Sequence, residues 1–267
     1  MNYDQEIQSL KAATGEEDYF ERGLQTFDAH CMISERAKAL RCETVEKLLE
    51  EIEENKDWRH LLRISVNMLC SKLSCERFGS MMAHILEEGN EELFEQLCVH
   101  VKRRTDVMIT VMDKLVQLNV KWSSVYKCLD SPEHLYEVAA IKADNVDLLH
   151  DYLQTCRAST LAYSYMGQFY AKRCMDLVGY EEYRTRNYLS GAFDSRNLQS
   201  IDWLLSKSEA TRKIIVNDYV MIGPDDYIED LFATEIIRTK RIVLNEKEWR
   251  VMQERNPELY KQLSNDV

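Results

Sequence analysis

The segment HLYEVAAIKADNVDLLHDYL (residues 134–153) decides the fold class that we predict for this chain. Apolar residues recur at helical spacing over residues 135–140 and again over residues 148–153, and the polar residues Asp144 and Asn145 lie between them. From Asn145 onward, the apolar side chains fall on one face of a helix. The segment therefore predicts two short helices joined by a polar turn.

Two other segments repeat this pattern, with an asparagine at the same place. The asparagine is Asn90 in HILEEGNEELFEQLC (residues 84–98) and Asn197 in AFDSRNLQSIDWLL (residues 192–205). Asn90, Asn145 and Asn197 are 55 and 52 residues apart, which leaves room for one more helix pair between successive asparagines. We expect an all-α fold of stacked helix pairs, an α-solenoid with a unit of about 26 to 33 residues.

The composition favours the same fold class. In 267 residues, 8 glycines and 3 prolines are too few for the many turns of an all-β fold, and 45% hydrophobic residues suffice for a core. We expect an N-terminal helical segment (1–54), a helical-repeat domain (55–222) and a C-terminal cap or contact segment (223–267). The run IIRTKRIVL (236–244) in the last segment predicts one short strand, whose unpaired edge could form a dimer contact.

Two further segments carry specific expectations. NKDWRHLLRISVNMLCSKL (55–73) has apolar residues around most of a helix, which predicts a core helix buried on more than one side. LAYSYMGQFYAKRCMDLV (161–178) predicts another helix pair, arranged around Gly167.

Charge, cysteine use and hydropathy indicate an intracellular protein, cytoplasmic or nuclear. No apolar run is long enough for a spanning helix, and no signal peptide is present, so we expect no membrane partner. The 8 cysteines lie mostly at apolar helical positions, as reduced core thiols do. The net charge of −12 makes general attraction to nucleic acid unfavourable.

The sequence contains no recognisable catalytic or cofactor motif. The P-loop, dinucleotide, zinc-protease and nucleophile-elbow signatures are all missing. Cys70, Cys75, His84, Cys98 and His100 could in principle gather a metal, but without a close CxxC pair they are better interpreted as core residues. We therefore expect no enzyme, no cofactor and no metal, and an enzyme without a local signature is the alternative.

Basic clusters support a second alternative, an RNA- or DNA-binding helical module. Tyrosines 180, 183 and 188 accompany one of these clusters, and interleaved basic and aromatic residues are typical of nucleic-acid grooves. The same side chains could instead complement helix dipoles and acidic faces. The clusters comprise Lys102, Arg103 and Arg104; Arg184 and Arg186; Arg212 and Lys213; and Arg238, Lys240 and Arg241.

Aromatic residues provide the candidate contacts with another protein. Amphipathic aromatic side chains on the concave face of a helical array serve as anchors for a partner. They could equally pack between repeats. The candidate partner-binding residues are Tyr163, Tyr165, Phe169, Tyr170 and Trp203.

The segments 84–98, 135–153 and 192–205 resemble the two-helix core of ankyrin repeats, although the TPLH tetrapeptide is missing and the repeat length is uneven. The resemblance is to a degenerate ankyrin-like array of the kind found among interaction proteins of large DNA viruses. It implies a scaffold over residues 55–206 that binds another protein as an adaptor, such as a viral factor that contacts the host. It implies no reaction.

Overall fold

A computed structural model describes residues 43–69, 71–129, 133–221 and 227–264. Every regular element in these ranges is helical, which confirms the predicted all-α class, and the ranges contain no strand. None of their helices is long and apolar enough to cross a membrane. The part of the expected N-terminal helical segment before residue 43 lies outside the described residues, and so does the candidate metal ligand Cys70.

The chain divides into two compact units, and the division between Tyr136 and Glu137 falls within one helix. The predicted boundaries after residues 54 and 222 stay predictions. The first unit contains α1 (43–55), short 3-10 turns (Trp58–Arg63 and Val66–Met68), α2 (Lys72–Glu87), α3 (Glu91–Val101), α4 (Thr105–Gln117) and α5 (Trp122–Val125). Helix α6 (His134–Lys142) contains the division.

The second unit consists of helices that alternate with short turns. A π-helical stretch, Ile215–Val220, follows the helix Glu209–Ile214 without a break. The helices are α7 (Val146–Leu153), α8 (Thr160–Phe169), α9 (Lys172–Val178), α10 (Thr185–Asp194), α11 (Leu198–Lys207), α12 (Glu209–Ile214), α13 (Tyr227–Arg238), α14 (Glu246–Arg255) and α15 (Pro257–Ser264).

The three marker asparagines begin helices, as predicted. Each side-chain oxygen accepts a hydrogen bond from the amide three residues later, and each backbone amide donates to the carbonyl five residues earlier. The preceding residue has positive φ in every case: 82° at Gly89, 49° at Asp144 and 52° at Arg196. One turn, which closes a helix and caps the next, therefore occurs three times.

The predicted core helix over residues 55–73 is wrong. The structure has 3-10 turns there, and α2 begins only at Lys72. Side chains from later in the chain bind carbonyls that a continuous helix would use: His100 Nε2 lies 2.7 Å from the Ile64 oxygen, and an Arg104 Nη donates to the Leu69 carbonyl at 2.8 Å. These distant partners stabilise the irregular backbone in place of helical hydrogen bonds.

Arg104 connects this irregular segment to the start of α4. Besides Leu69, its guanidinium donates to the Val66 carbonyl, to the thiol sulfur of Cys75 at 2.8 Å and to both carboxylate oxygens of Asp106 at 2.9 and 2.6 Å. The hydrogen bonds from Arg104 hold the pKa of Asp106 down at about 2. Burial raises the pKa of Cys75 to about 11. The guanidinium is thus the centre of a polar network in the first unit.

The predicted strand over residues 236–244 is also wrong. Ile236 lies in the last turn of α13, which closes where Lys240 has a φ of 56° and the Arg241 amide donates to the Ile236 carbonyl at 3.1 Å. Ile242 and Leu244 follow in an irregular connection and are buried. The apolar run is therefore a helix end followed by a buried loop, and it leaves no strand edge for a dimer contact.

Candidate partner-binding surface on helix α8

The N-terminus of α8 is attached to a buried carboxylate. Ser159 caps α8, because its hydroxyl accepts from the Ala162 amide at 3.1 Å. The Ser159 amide in turn donates to both carboxylate oxygens of Glu137, at 2.9 and 3.1 Å. Glu137 is completely buried, and this burial raises its pKa above the usual value for a glutamate.

Glu137→Gln is expected to flatten the pH dependence of stability. Because the folded-state pKa of Glu137 is raised, the folded chain binds its proton more tightly than the unfolded chain does. The wild type therefore loses stability as pH rises from about 4.3, the ordinary glutamate pKa, through the folded-state value. The amide side chain of the variant cannot titrate, so urea unfolding across this window should give the variant a less negative slope of stability against pH. Equal slopes of stability against pH for the wild type and the variant would contradict a raised pKa for Glu137.

Two glycines set the position of the middle of α8. Gly167 lies inside α8 and contacts α10, where Gly191 lies opposite. A Cβ on Gly191 would overlap the Ser164 carbonyl oxygen and lie 2.9 Å from the Gln168 amide nitrogen, and a Cβ on Gly167 would overlap the Tyr188 carbonyl oxygen. The interpretation of Gly167 as the turn of a helix pair is wrong, because Gly167 lies inside α8. Its lack of a side chain instead allows the close backbone-to-backbone contact with α10.

The C-terminus of α8 is attached to the start of α11. Ser200 Oγ donates to the Gly167 carbonyl at 2.5 Å, and the Asn197 side-chain amide donates to the Gln168 carbonyl at 3.1 Å. The helix ends at Tyr170, which has a φ of 48°. Helix α8 is thus attached at its start, middle and end within the second unit, and it can present its outer face rigidly.

The outer face of α8 carries an exposed apolar stripe, which we define as Leu161, Tyr165 and Phe169. These residues are four positions apart, so they lie on one side of the helix. Leu161 and Phe169 are 42% and 44% exposed, and Tyr165 is half-buried. The rings of Tyr165 and Phe169 are stacked, with centroids 6.2 Å apart and an interplanar angle of 4°. Lys142 Nζ lies 5.0 Å from the Tyr165 ring centroid.

The sequence around the stripe is unusual for this chain. Charged residues make up 30% of the whole sequence, but α8 (TLAYSYMGQF) has none. Residues 152–175 contain no Asp or Glu and three basic residues, Arg157, Lys172 and Arg173, in a chain with a net charge of −12. Leu161 and Lys142 were missed by the sequence analysis, and this acid-free segment was the signal that could have drawn attention to them.

The five predicted partner-binding residues separate into two groups. Tyr165 and Phe169 belong to the stripe, next to Tyr170 at the helix end. Tyr163 is buried, and its ring contacts Tyr188 with a centroid distance of 5.3 Å; the half-buried Trp203 ring lies 5.5 Å from that of Tyr188. Burial, with donation of its hydroxyl to Glu181 Oε2 at 2.6 Å, raises the pKa of Tyr163. Tyr163 and Trp203 are thus packing residues in this unit.

No family model, curated protein or solved structure matches this chain.

Most arginines of the predicted basic clusters contact the chain's own polar groups. Arg184 donates to Thr160 Oγ1 at 2.7 Å, and its guanidinium carbon lies 5.1 and 4.9 Å from the ring centroids of Tyr163 and Tyr183. Three others form ion pairs within the second unit, Arg186 with Asp218, Arg212 with Glu248 and Arg241 with Asp202, at 3.1, 2.8 and 2.7 Å. The prediction of a nucleic-acid interface gains no support from these side chains.

The candidate metal ligands contribute to the packing of the first unit. Across the described ranges, no group of three or more His, Cys, Asp and Glu side chains is arranged to hold a metal ion. Cys75 and Cys98 are buried, and burial raises their pKa values to about 11 and about 12. His84 lies 3.0 Å from Glu87 on the surface of α2, whereas His100 contacts the Ile64 carbonyl.

The first unit has an open groove of about 490 Å³ between α1, α2 and α4. Its charged side chains largely contact one another: Arg77 pairs with Glu50 at 2.7 Å and lies 3.9 Å from Glu53, while Lys114 donates to Gln117 at 3.0 Å. Because these groups already have partners within the unit, the groove is a weaker candidate for a binding site than the stripe on α8.

Proposed function

We propose that this protein is a non-enzymatic interaction module, an adaptor that binds another protein through the stripe of Leu161, Tyr165 and Phe169. The observation that carries the proposal is an exposed, charge-free apolar face on a helix that is attached at both ends and in its middle. Contiguous apolar residues on a surface are typical of protein contacts, and aromatic residues on a rigid support make effective anchors.

The helix order favours a degenerate helical array as the scaffold. Every second helix from α2 to α10 begins at residues 72, 105, 134, 160 and 185, so the intervals are 25 to 33 residues. In the first unit α2 packs against α4, and in the second α8 packs against α10, as the first helices of neighbouring repeats do. The turn at Asn90, Asn145 and Asn197 adds a recurring feature. Together with the ankyrin-like sequence resemblance, these features support an irregular ankyrin-like array.

The proposal is tested by comparing stripe variants in the cell from which the protein comes. The double variant Leu161→Glu/Phe169→Glu should lose at least ten-fold of the protein partner that co-purifies with the wild type, because carboxylates replace the apolar contacts. Both positions are exposed, so the free energy of unfolding should change by less than about 0.5 kcal/mol per substitution.

The matched control is Val99→Glu/Ile109→Glu, which changes two exposed apolar residues in the first unit. This control should keep the partner at the wild-type level. Retention of the partner by the stripe variant, or its loss from both variants alike, would contradict the proposal.

A further inference from the structure

We infer that the segment that occupies the α8 stripe is an acidic segment of another protein, with apolar side chains flanked by carboxylates. This inference rests on the proposed function, and it adds the chemistry of the partner. It follows from the charges that border the stripe, which have the opposite sign to the charge of the chain as a whole.

Basic side chains border the stripe at the helix end and across from its middle. Lys142 lies over the Tyr165 ring, while Lys172 and Arg173 begin α9 two and three residues after Tyr170. All three basic side chains are exposed, and none forms an ion pair with the described residues. A carboxylate of a bound segment could pair with them while its apolar neighbours cover the stripe, and charge complementarity of this kind favours an acidic partner.

Two exposed acids lie close to these basic groups along the chain: Asp144, two residues after Lys142, and Asp176, three residues after Arg173. Asp144 is exposed, and its Oδ1 accepts from the buried thiol of Cys174 at a distance of 3.7 Å. No acid lies on α8 itself, and the next acid along the chain after Asp151 is Asp176. The segment that carries the stripe, residues 152–175, is therefore basic, although the whole chain has a net charge of −12.

A peptide segment fits this surface better than a nucleic acid does. Nucleic-acid bases could stack on Tyr165 and Phe169, but Leu161 has no ring for stacking, and the negative charge of the chain repels a long polyanion. An acidic segment with Leu, Phe or Trp side chains provides both kinds of contact within a short length.

The test places the photoreactive residue benzoylphenylalanine at position 165 of the full chain and activates it in the native cell. Mass spectrometry then identifies the cross-linked segment. We expect one dominant adduct to another protein, in a segment with more Asp and Glu than Lys and Arg. The charge-reversed variant Lys142→Glu/Lys172→Glu/Arg173→Glu should reduce this adduct at least ten-fold. Glutamates at the start of α9 suit the positive end of a helix, so the variant should remain folded.

The matched control reverses three exposed basic residues elsewhere, Arg103→Glu/Lys127→Glu/Arg250→Glu, and gives the same net charge. It should keep at least half of the wild-type adduct. A neutral or basic cross-linked segment, an adduct to a second copy of this chain, or equal adduct yields from the two reversed variants would overturn the inference and leave partner binding by the stripe intact. If no discrete protein adduct forms, the proposed function itself fails.

Discussion

Gly191→Ala is expected to destabilise the second unit by about 3 kcal/mol or more, one of the largest effects of a single added methyl group in this chain. The new Cβ would overlap the Ser164 carbonyl oxygen and lie 2.9 Å from the Gln168 amide nitrogen. Both are backbone atoms inside α8, so no side-chain rotation can relieve the overlap. Helices α8 and α10 would have to separate and lose the contacts between Tyr163 and Tyr188.

Urea unfolding measures this effect when it is followed by tryptophan fluorescence, to which Trp203 and Trp249 of the same unit contribute. Gly167→Ala should behave in the same way, because its Cβ would overlap the Tyr188 carbonyl. Ser190→Ala is the matched control, since it changes the exposed neighbour of Gly191 on the same helix. It should alter stability by less than about 0.5 kcal/mol. Glycine variants as stable as this control would refute the close helix contact.

Arg104→Ala is expected to destabilise the first unit by about 2 to 3 kcal/mol. The substitution leaves the carbonyls of Val66 and Leu69 without the donor that holds the 3-10 turns against the start of α4. It also removes the donor to the buried thiol of Cys75. Arg103→Ala is the natural control, because Arg103 is exposed and adjacent, and it should change stability by less than about 0.5 kcal/mol.

The protonation of Asp106 gives this prediction a second readout. Its pKa is lowered to about 2 in the folded chain, so its stabilising contribution is present above the ordinary aspartate pKa of about 3.9 and is lost as pH falls towards 2. Without Arg104, the pKa of Asp106 should return towards its ordinary value in an NMR titration of the folded variant. An unchanged pKa, or equal stability losses in the two variants, would show that Arg104 is not the centre of this network.

The sequence was sufficient for the features that depend on local interactions. Helical spacing of apolar residues and an asparagine that caps the following helix are both properties of a few neighbouring residues, so the helix pairs at Asn90, Asn145 and Asn197 could be predicted. The scarcity of glycine and proline excluded an all-β fold for the same kind of reason, because turns require these residues locally.

The wrong predictions concern segments whose structure depends on distant residues. In residues 55–73, the carbonyls of Ile64, Val66 and Leu69 are bound by His100 and Arg104, which the local pattern does not reveal. The interior position of Gly167 depends on Gly191, which lies on another helix. For residues 236–244, the same apolar run is compatible with a buried strand and with a helix end followed by a buried loop.

The prediction of the candidate site was also limited by contacts between residues that are distant in the sequence. Sequence analysis grouped Tyr163 with Tyr165 and Phe169, because all three lie in one short aromatic segment. Which of them is buried depends on the face of α8 that packs against α10, and that face is set by the two glycines. The acid-free segment around α8 was readable from the sequence, but its relation to an exposed stripe became visible only in the folded chain.

Hydroxyl-radical footprinting of the complex purified from the native cell measures whether the bound partner covers the stripe on α8. We expect the oxidation of Tyr165 and Phe169 to fall at least ten-fold when the partner is bound. Tyr183, which is 73% exposed and lies outside the stripe, should be oxidised as in the isolated chain. If Tyr165 and Phe169 are oxidised at the same rate with and without the partner, the stripe on α8 is not the binding surface.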